Sequence, residues 1–152
     1  MLHAMSPAIG NLLAVMLGGA LGAGARWLLA GWTQRAFDAR IGGHFPIGTL
    51  IVNVLGCLAI GALAAWFTAT PHGEGAERVG RFALPTEERR HLLLFVGVLG
   101  GFTTFSSFAI DALALMEIGE RGRALAYVLL SNALGIAGAW IAYIGVERLA
   151  RA

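Results

Sequence analysis

The sequence predicts an all-α membrane protein with four transmembrane helices, the third of them broken. Three observations carry this expectation. Of the 152 residues, 57% are hydrophobic and only 13% charged, against about 25% charged in an ordinary soluble domain, and mean hydropathy is +0.72. The apolar residues lie in four long runs instead of at amphipathic spacing, and a bilayer crossing takes about 20 such residues. The third run is interrupted by "GGFTTFSSFAID" (100–111), which sets two adjacent glycines, four hydroxyls and a carboxylate inside an otherwise greasy stretch.

The whole chain, 1–152, reads as one membrane domain. The first span is expected over about residues 9–32. No basic residue precedes Arg26, so a signal-peptide n-region is missing and this run is expected to be retained as a span. A short turn-like connection, "DARIGGHFP", leads to the second span at about 47–67. The polar segment 68–90 is read as a solvated loop, with room for a short amphipathic helix at the interface. The third and fourth spans follow at about 92–116 and 124–146. Trp27, Trp32, Trp66, Trp140 and Tyr143 stand near span ends, as interfacial anchors do.

All eleven basic residues are arginine. Four fall in the 68–90 loop (Arg78, Arg81, Arg89, Arg90) and two at the C-terminus (Arg148, Arg151), on one side of the membrane. The other side holds Arg26, Arg35, Arg40, Arg121 and Arg123. Orientation follows an arginine and lysine imbalance, and six against five provides almost none. Such a chain can insert both ways up, or hold one orientation set by another factor. Mixed insertion would permit an antiparallel homodimer. The scattered arginines form no basic patch, so nucleic acid is not an expected partner. Cys57 is the only cysteine, which excludes an internal disulfide, and its apolar setting points to a packing role.

Polar groups within hydrocarbon tend to face protein or a water-filled path. Thr49 and Asn53 share one face of the second span; Tyr127 and Ser131 share one face of the fourth, with Gly135 continuing it without a polar group. Gly100 and Gly101 each disfavour helix by about 1 kcal/mol relative to Ala. A break there would free backbone carbonyls, the usual membrane-embedded ligands of a small hard cation. An unbroken helix with a glycine packing face is the competing reading. Phe105 and Phe108 lie on one side of the helix that follows, and a ring edge attracts an anion without binding it as a full charge would. Arg26 would snorkel or concentrate anions at a vestibule. Asp111 would sit near a mouth, with Arg26 a candidate partner. Gly18 with Gly22, and Gly97 with Gly101, have the four-residue spacing that lets helices approach closely. His3, His44, His72 and His91 are dispersed, and no nucleophile–base set is visible, so an enzyme is not expected.

With "GGALGAGARWLL", "PIGTLIVNVLGCLAIG", "GVLGGFTTFSSFAID" and, more weakly, "YVLLSNALG", the chain resembles the Fluc (CrcB) family of fluoride channels over about residues 9–146. The resemblance implies a passive, multi-pass fluoride channel of the bacterial inner (plasma) membrane, working as an antiparallel dual-topology homodimer with two pathways. It implies a structural sodium ion at the dimer interface, held by the backbone carbonyls of Gly100 and Thr103. Asn53 would hydrogen-bond fluoride, Phe105 and Phe108 would border the path, Thr49, Tyr127 and Ser131 would form its polar track, and Arg26 its vestibule. Gly135 departs from the pattern where some relatives continue the track with a hydroxyl, and the 68–90 loop is longer than usual. A small dual-topology multidrug exporter is the alternative, but it would carry an early membrane-embedded acid, and the first acid here, Asp38, lies outside the first span. A non-transporting membrane scaffold, its polar stripes serving only as glue, is a third.

Overall fold

The computed structural model describes residues 7–69 and 88–151, and among these every regular element is helical. In order they are α1 (Pro7–Arg40), α2 (Ile47–Ala69), α3 (Glu88–His91), a π-helical segment (Leu92–Leu99), α4 (Gly100–Phe102), α5 (Phe105–Glu117) and α6 (Arg121–Arg151). Four stretches are long and apolar enough to cross a membrane: Ala8–Arg40, Ile47–Thr68, Leu92–Glu117 and Arg121–Arg151. The chain is a multi-pass membrane protein. Most of the expected 68–90 loop lies outside the described residues.

Helix α1 continues to Arg40, past the expected end at 32. Its 34 residues span about 50 Å at 1.5 Å per residue, well beyond a hydrocarbon core of about 30 Å. The C-terminal turns therefore stand beyond the apolar layer, and Arg26 is in mid-helix. The turn into α2 uses Gly42 and Gly43 at φ +69° and +102°, a left-handed backbone that side chains disfavour. Gln34 then ties the two helices together. Its amide nitrogen donates to Asp38 Oδ1 (2.9 Å) and to the Phe45 carbonyl (3.2 Å), while its Oε1 accepts from the Gly48 N–H at 3.1 Å. The last of these satisfies one of the amides left open in the first turn of α2.

Lipid is as apolar as any core, so close helix contact here depends on small residues and fitted backbones. The two glycine stripes face one another within a single chain. A Cβ built at Gly97 would lie 2.8 Å from Gly18 Cα; at Gly101, 3.0 Å from Gly19 Cα; and at Gly22, 2.8 Å from the Phe102 nitrogen. Any side chain at these points would part α1 from the third span. On the other flank α2 packs along α6, where a Cβ at Gly61 would strike the Ala139 carbonyl. A small buried core of Leu50, Ala112, Leu115, Ala124 and Tyr127 joins α2, α5 and α6. Large apolar side chains such as Leu17, Trp27, Ile136 and Trp140 are exposed, as the surface of a chain that crosses lipid is expected to be.

Candidate functional site

The third span leaves helical geometry at two residues. Thr103 has φ −81° and ψ 154°, Thr104 φ −149° and ψ 117°; Gly100 and Gly101, where the composition pointed, remain helical. Asn53 holds the extended residues from α2. Its Oδ1 accepts from the Thr104 N–H at 2.8 Å and its Nδ2 donates to the Thr104 carbonyl at 3.1 Å. One amide side chain thus pairs with both backbone groups of one residue, leaving the second Nδ2–H to point elsewhere.

This pairing and the Thr104 hydroxyl between them divert two donors that would have closed the helix. The Thr104 amide would ordinarily bond the Gly100 carbonyl, four residues back, but Asn53 takes it. The Ser107 amide would bond the Thr103 carbonyl, but donates to Thr104 Oγ1 at 3.1 Å. Thr104 is the N-cap of α5, and its hydroxyl also donates to Ser107 Oγ at 3.1 Å and lies 3.2 Å from Ser106 Oγ. The carbonyls of Gly100 and Thr103 are therefore deprived of their regular intrahelical partners. Thr104 was not foreseen as a site residue. Thr is among the residues preferred at an N-cap, and that preference is the signal that could have marked it.

Beside the extended pair lies an open recess of about 350 Å³. It brings together six of the expected residues: Asn53, Gly100, Thr103, Phe105, Phe108 and Ser131. The Ser131 Oγ is buried and has no hydrogen-bond partner among the described residues. The rings of Phe105 and Phe108 are tilted at 40° with centroids 5.4 Å apart. Phe108 leans on Tyr127 (5.3 Å), which meets Phe45 edge-on at 5.8 Å. Phe105, in contrast, is 80% exposed, so one wall of the recess is open on the single chain.

The remaining expected residues lie elsewhere. Arg26 and Thr49 line a second recess of about 470 Å³ together with Thr104 and Ser107. Thr104 borders both recesses. Tyr127 is fully buried behind Phe108, with Thr49 beside its phenol. Asp111 receives the Tyr127 hydroxyl at 3.3 Å and lines a third recess with Gln34, Asp38 and His44, near the α1–α2 turn. No ion pair joins it to Arg26 within the chain; the phenol stands where that arginine was expected. Gly135, on α6, is buried against Cys57.

Fold and site define a small four-span membrane protein whose polar groups are gathered around a non-helical point at membrane depth, the arrangement of a protein that passes or holds a small solute. The family model described as "CrcB-like protein, Camphor Resistance (CrcB)" matches residues 13–143, and the chain belongs to that family. Among curated relatives, one from Methylobacterium sp. (strain 4-46) is 44% identical over 133 residues, covering 88% of this chain and 93% of its own. One from Anaeromyxobacter dehalogenans is 46% identical over 141 residues, 92% of this chain and 98% of its own. A third, from Cereibacter sphaeroides, is 44% identical over 130 residues, 86% and 89%. Each bears the name "Fluoride-specific ion channel FluC".

Proposed function

We propose that the protein is a fluoride channel of the bacterial plasma membrane that lets fluoride leave the cell passively, lowering its cytoplasmic concentration. The observation that carries the reading is the buried hydroxyl of Ser131, without a partner among the described residues, in a recess it shares with Asn53, Phe105 and Phe108. A buried polar atom without a partner costs free energy, and a small anion passing the recess would supply the missing acceptor. The names of the relatives point to the same ion.

Fluoride holds its water tightly, so donors must approach closely enough to replace it. The free N–H of Asn53 and the Ser131 hydroxyl would do so, with the positive edges of Phe105 and Phe108 between them. Chloride, being larger, cannot draw the same donors as near. Arg26, in the wider recess across Thr104, would raise the local anion concentration. Thr49 would belong to that approach, and Tyr127 would position Phe108 by its ring and Asp111 by its hydroxyl.

The open wall at Phe105 and the near-equal arginine count on the two sides both favour an antiparallel dimer of dual-topology chains, in which a second copy closes the recess. The diverted carbonyls of Gly100 and Thr103 have the chemistry of a sodium site at such an interface: hard, neutral oxygens fixed by the surrounding fold. Sodium there would supply a positive charge at the centre of the assembly and link the subunits; the break in the third span is what would expose its ligands.

Fluoride efflux from proteoliposomes holding purified protein, followed with a fluoride electrode and compared with chloride, tests the function. Undiminished efflux in an Asn53→Ala, Phe105→Ala double variant would remove the proposed path. Reporter fusions at the C-terminus test the topology: signal on one side of the membrane alone would exclude dual insertion.

A further inference from the structure

Cys57 lies on α2 one turn beyond Asn53 and lines two cavities at once. One is the recess of Asn53 and Ser131; the other, about 820 Å³, runs on between α2 and α6 past Gly61 and Ala64 toward Thr68 and Tyr143. On the facing side of α6, Tyr127, Ser131 and Gly135 follow one another at one-turn spacing. They offer a phenol, a hydroxyl and then no side chain. A Cβ built at Gly135 would stand 3.2 Å from the Cys57 sulfur, so the thiol occupies the space that a side chain from α6 would need. The nearest polar group before it on that face, Ser131 Oγ, is the buried atom that has no partner among the described residues.

We propose that the Cys57 thiol is a specificity-determining group of the anion path, standing next after Ser131 and donating its S–H where α6 contributes nothing. The inference rests on the channel reading above. A thiol is a weaker donor than a hydroxyl. An ion handed from Ser131 to Cys57 is held less tightly at each step outward, and conduction needs sites weak enough to leave. The cavity beyond is lined mainly by apolar side chains such as Ile60, Ile136 and Trp140, so the thiol is the last donor before that stretch.

Two arms test it. In proteoliposomes, Cys57→Val, similar in shape but without a donor, lowers the initial fluoride efflux rate about tenfold, the order expected for one lost hydrogen bond to an ion. Cys57→Ser, which keeps a donor, restores it. Cys57→Ala is also slow, and Cys57→Ala with Gly135→Ser recovers, because the hydroxyl then comes from α6 into the space the sulfur vacates. Equal efflux in the valine and serine variants overturns the proposal. The second arm uses the unsubstituted protein, whose single cysteine is labelled with a small methanethiosulfonate and followed by mass spectrometry. Fluoride slows the labelling several-fold and chloride does not; equal rates in the two salts overturn the proposal. Wild-type protein that moves no fluoride would instead remove the channel reading, and the labelling arm still decides whether an anion meets the thiol.

Discussion

Replacing Asn53 by alanine removes both hydrogen bonds that hold Thr104, at 2.8 and 3.1 Å, and the cost can be bounded in two ways. If the freed N–H and carbonyl stayed dry, each would forfeit about 1–3 kcal/mol. Interhelical hydrogen bonds in membranes, however, average about 0.6 kcal/mol and reach about 1.7, because water or another group finds the vacated partner. Thr104 borders both open recesses, so water can reach it and the lower scale governs. The expected loss for Asn53→Ala is therefore about 1–3 kcal/mol, as two such bonds. Unfolding in mixed micelles with rising dodecyl sulfate measures it, and amide exchange at Thr104 should accelerate in step. Asn53→Asp separates the structural from the conductive role. Its carboxylate still accepts from the Thr104 N–H but has no donor for the carbonyl, so it is expected to keep part of the stability while placing negative charge beside the path. It should unfold less readily than Asn53→Ala and pass less fluoride. An alanine variant as stable as wild type, with unchanged exchange at Thr104, would refute the clamp; an aspartate variant with full efflux would refute the path.

Other consequences are open to measurement. Ser131→Ala should be as stable as wild type or up to about 1 kcal/mol more so, since it removes a buried hydroxyl that has no protein partner to lose, yet slow fluoride efflux about tenfold in the electrode assay. Gly22→Ala drives a methyl group into the Val98 carbonyl and the Phe102 amide, and overpacking of this kind costs about 1–3 kcal/mol or more. Gly145→Ala, which meets no atom within 4 Å, should be neutral or gain up to about 1 kcal/mol of helix propensity. Fluorescence-detected size exclusion after heating distinguishes these two. If the proposed dimer and its sodium site exist, exchange of sodium for a bulky organic cation during purification should weaken the association and lower efflux, read by size exclusion and by the electrode; association indifferent to sodium would count against ligation by Gly100 and Thr103.

The four crossings were legible from composition and run length, because burial in hydrocarbon constrains each segment separately. Asn53 and Ser131 were legible for the same reason, since a polar group in an apolar run stands out wherever it folds, and Phe105 and Phe108 by their place on one face among the serines that follow the glycines. Thr49 and Arg26 were recognised as polar exceptions, but the recess they share was not. Thr104 was passed over, since a hydroxyl amino acid among hydroxyl amino acids signals little until its backbone is seen to be extended.

Segment by segment, the amino-acid order determined which stretches enter the membrane, since transfer into hydrocarbon depends on local composition. Only the tertiary structure decided where the third span leaves the helix: the glycines stay coiled, and the departure comes at Thr103 and Thr104, where Asn53, 51 residues away from Thr104, captures an amide. It also decided that the glycine stripes of α1 and the third span meet within one chain, and that Tyr127 stands at Asp111. These matches depend on how each helix is rotated and offset against its neighbours, and no local property of either partner carries that information.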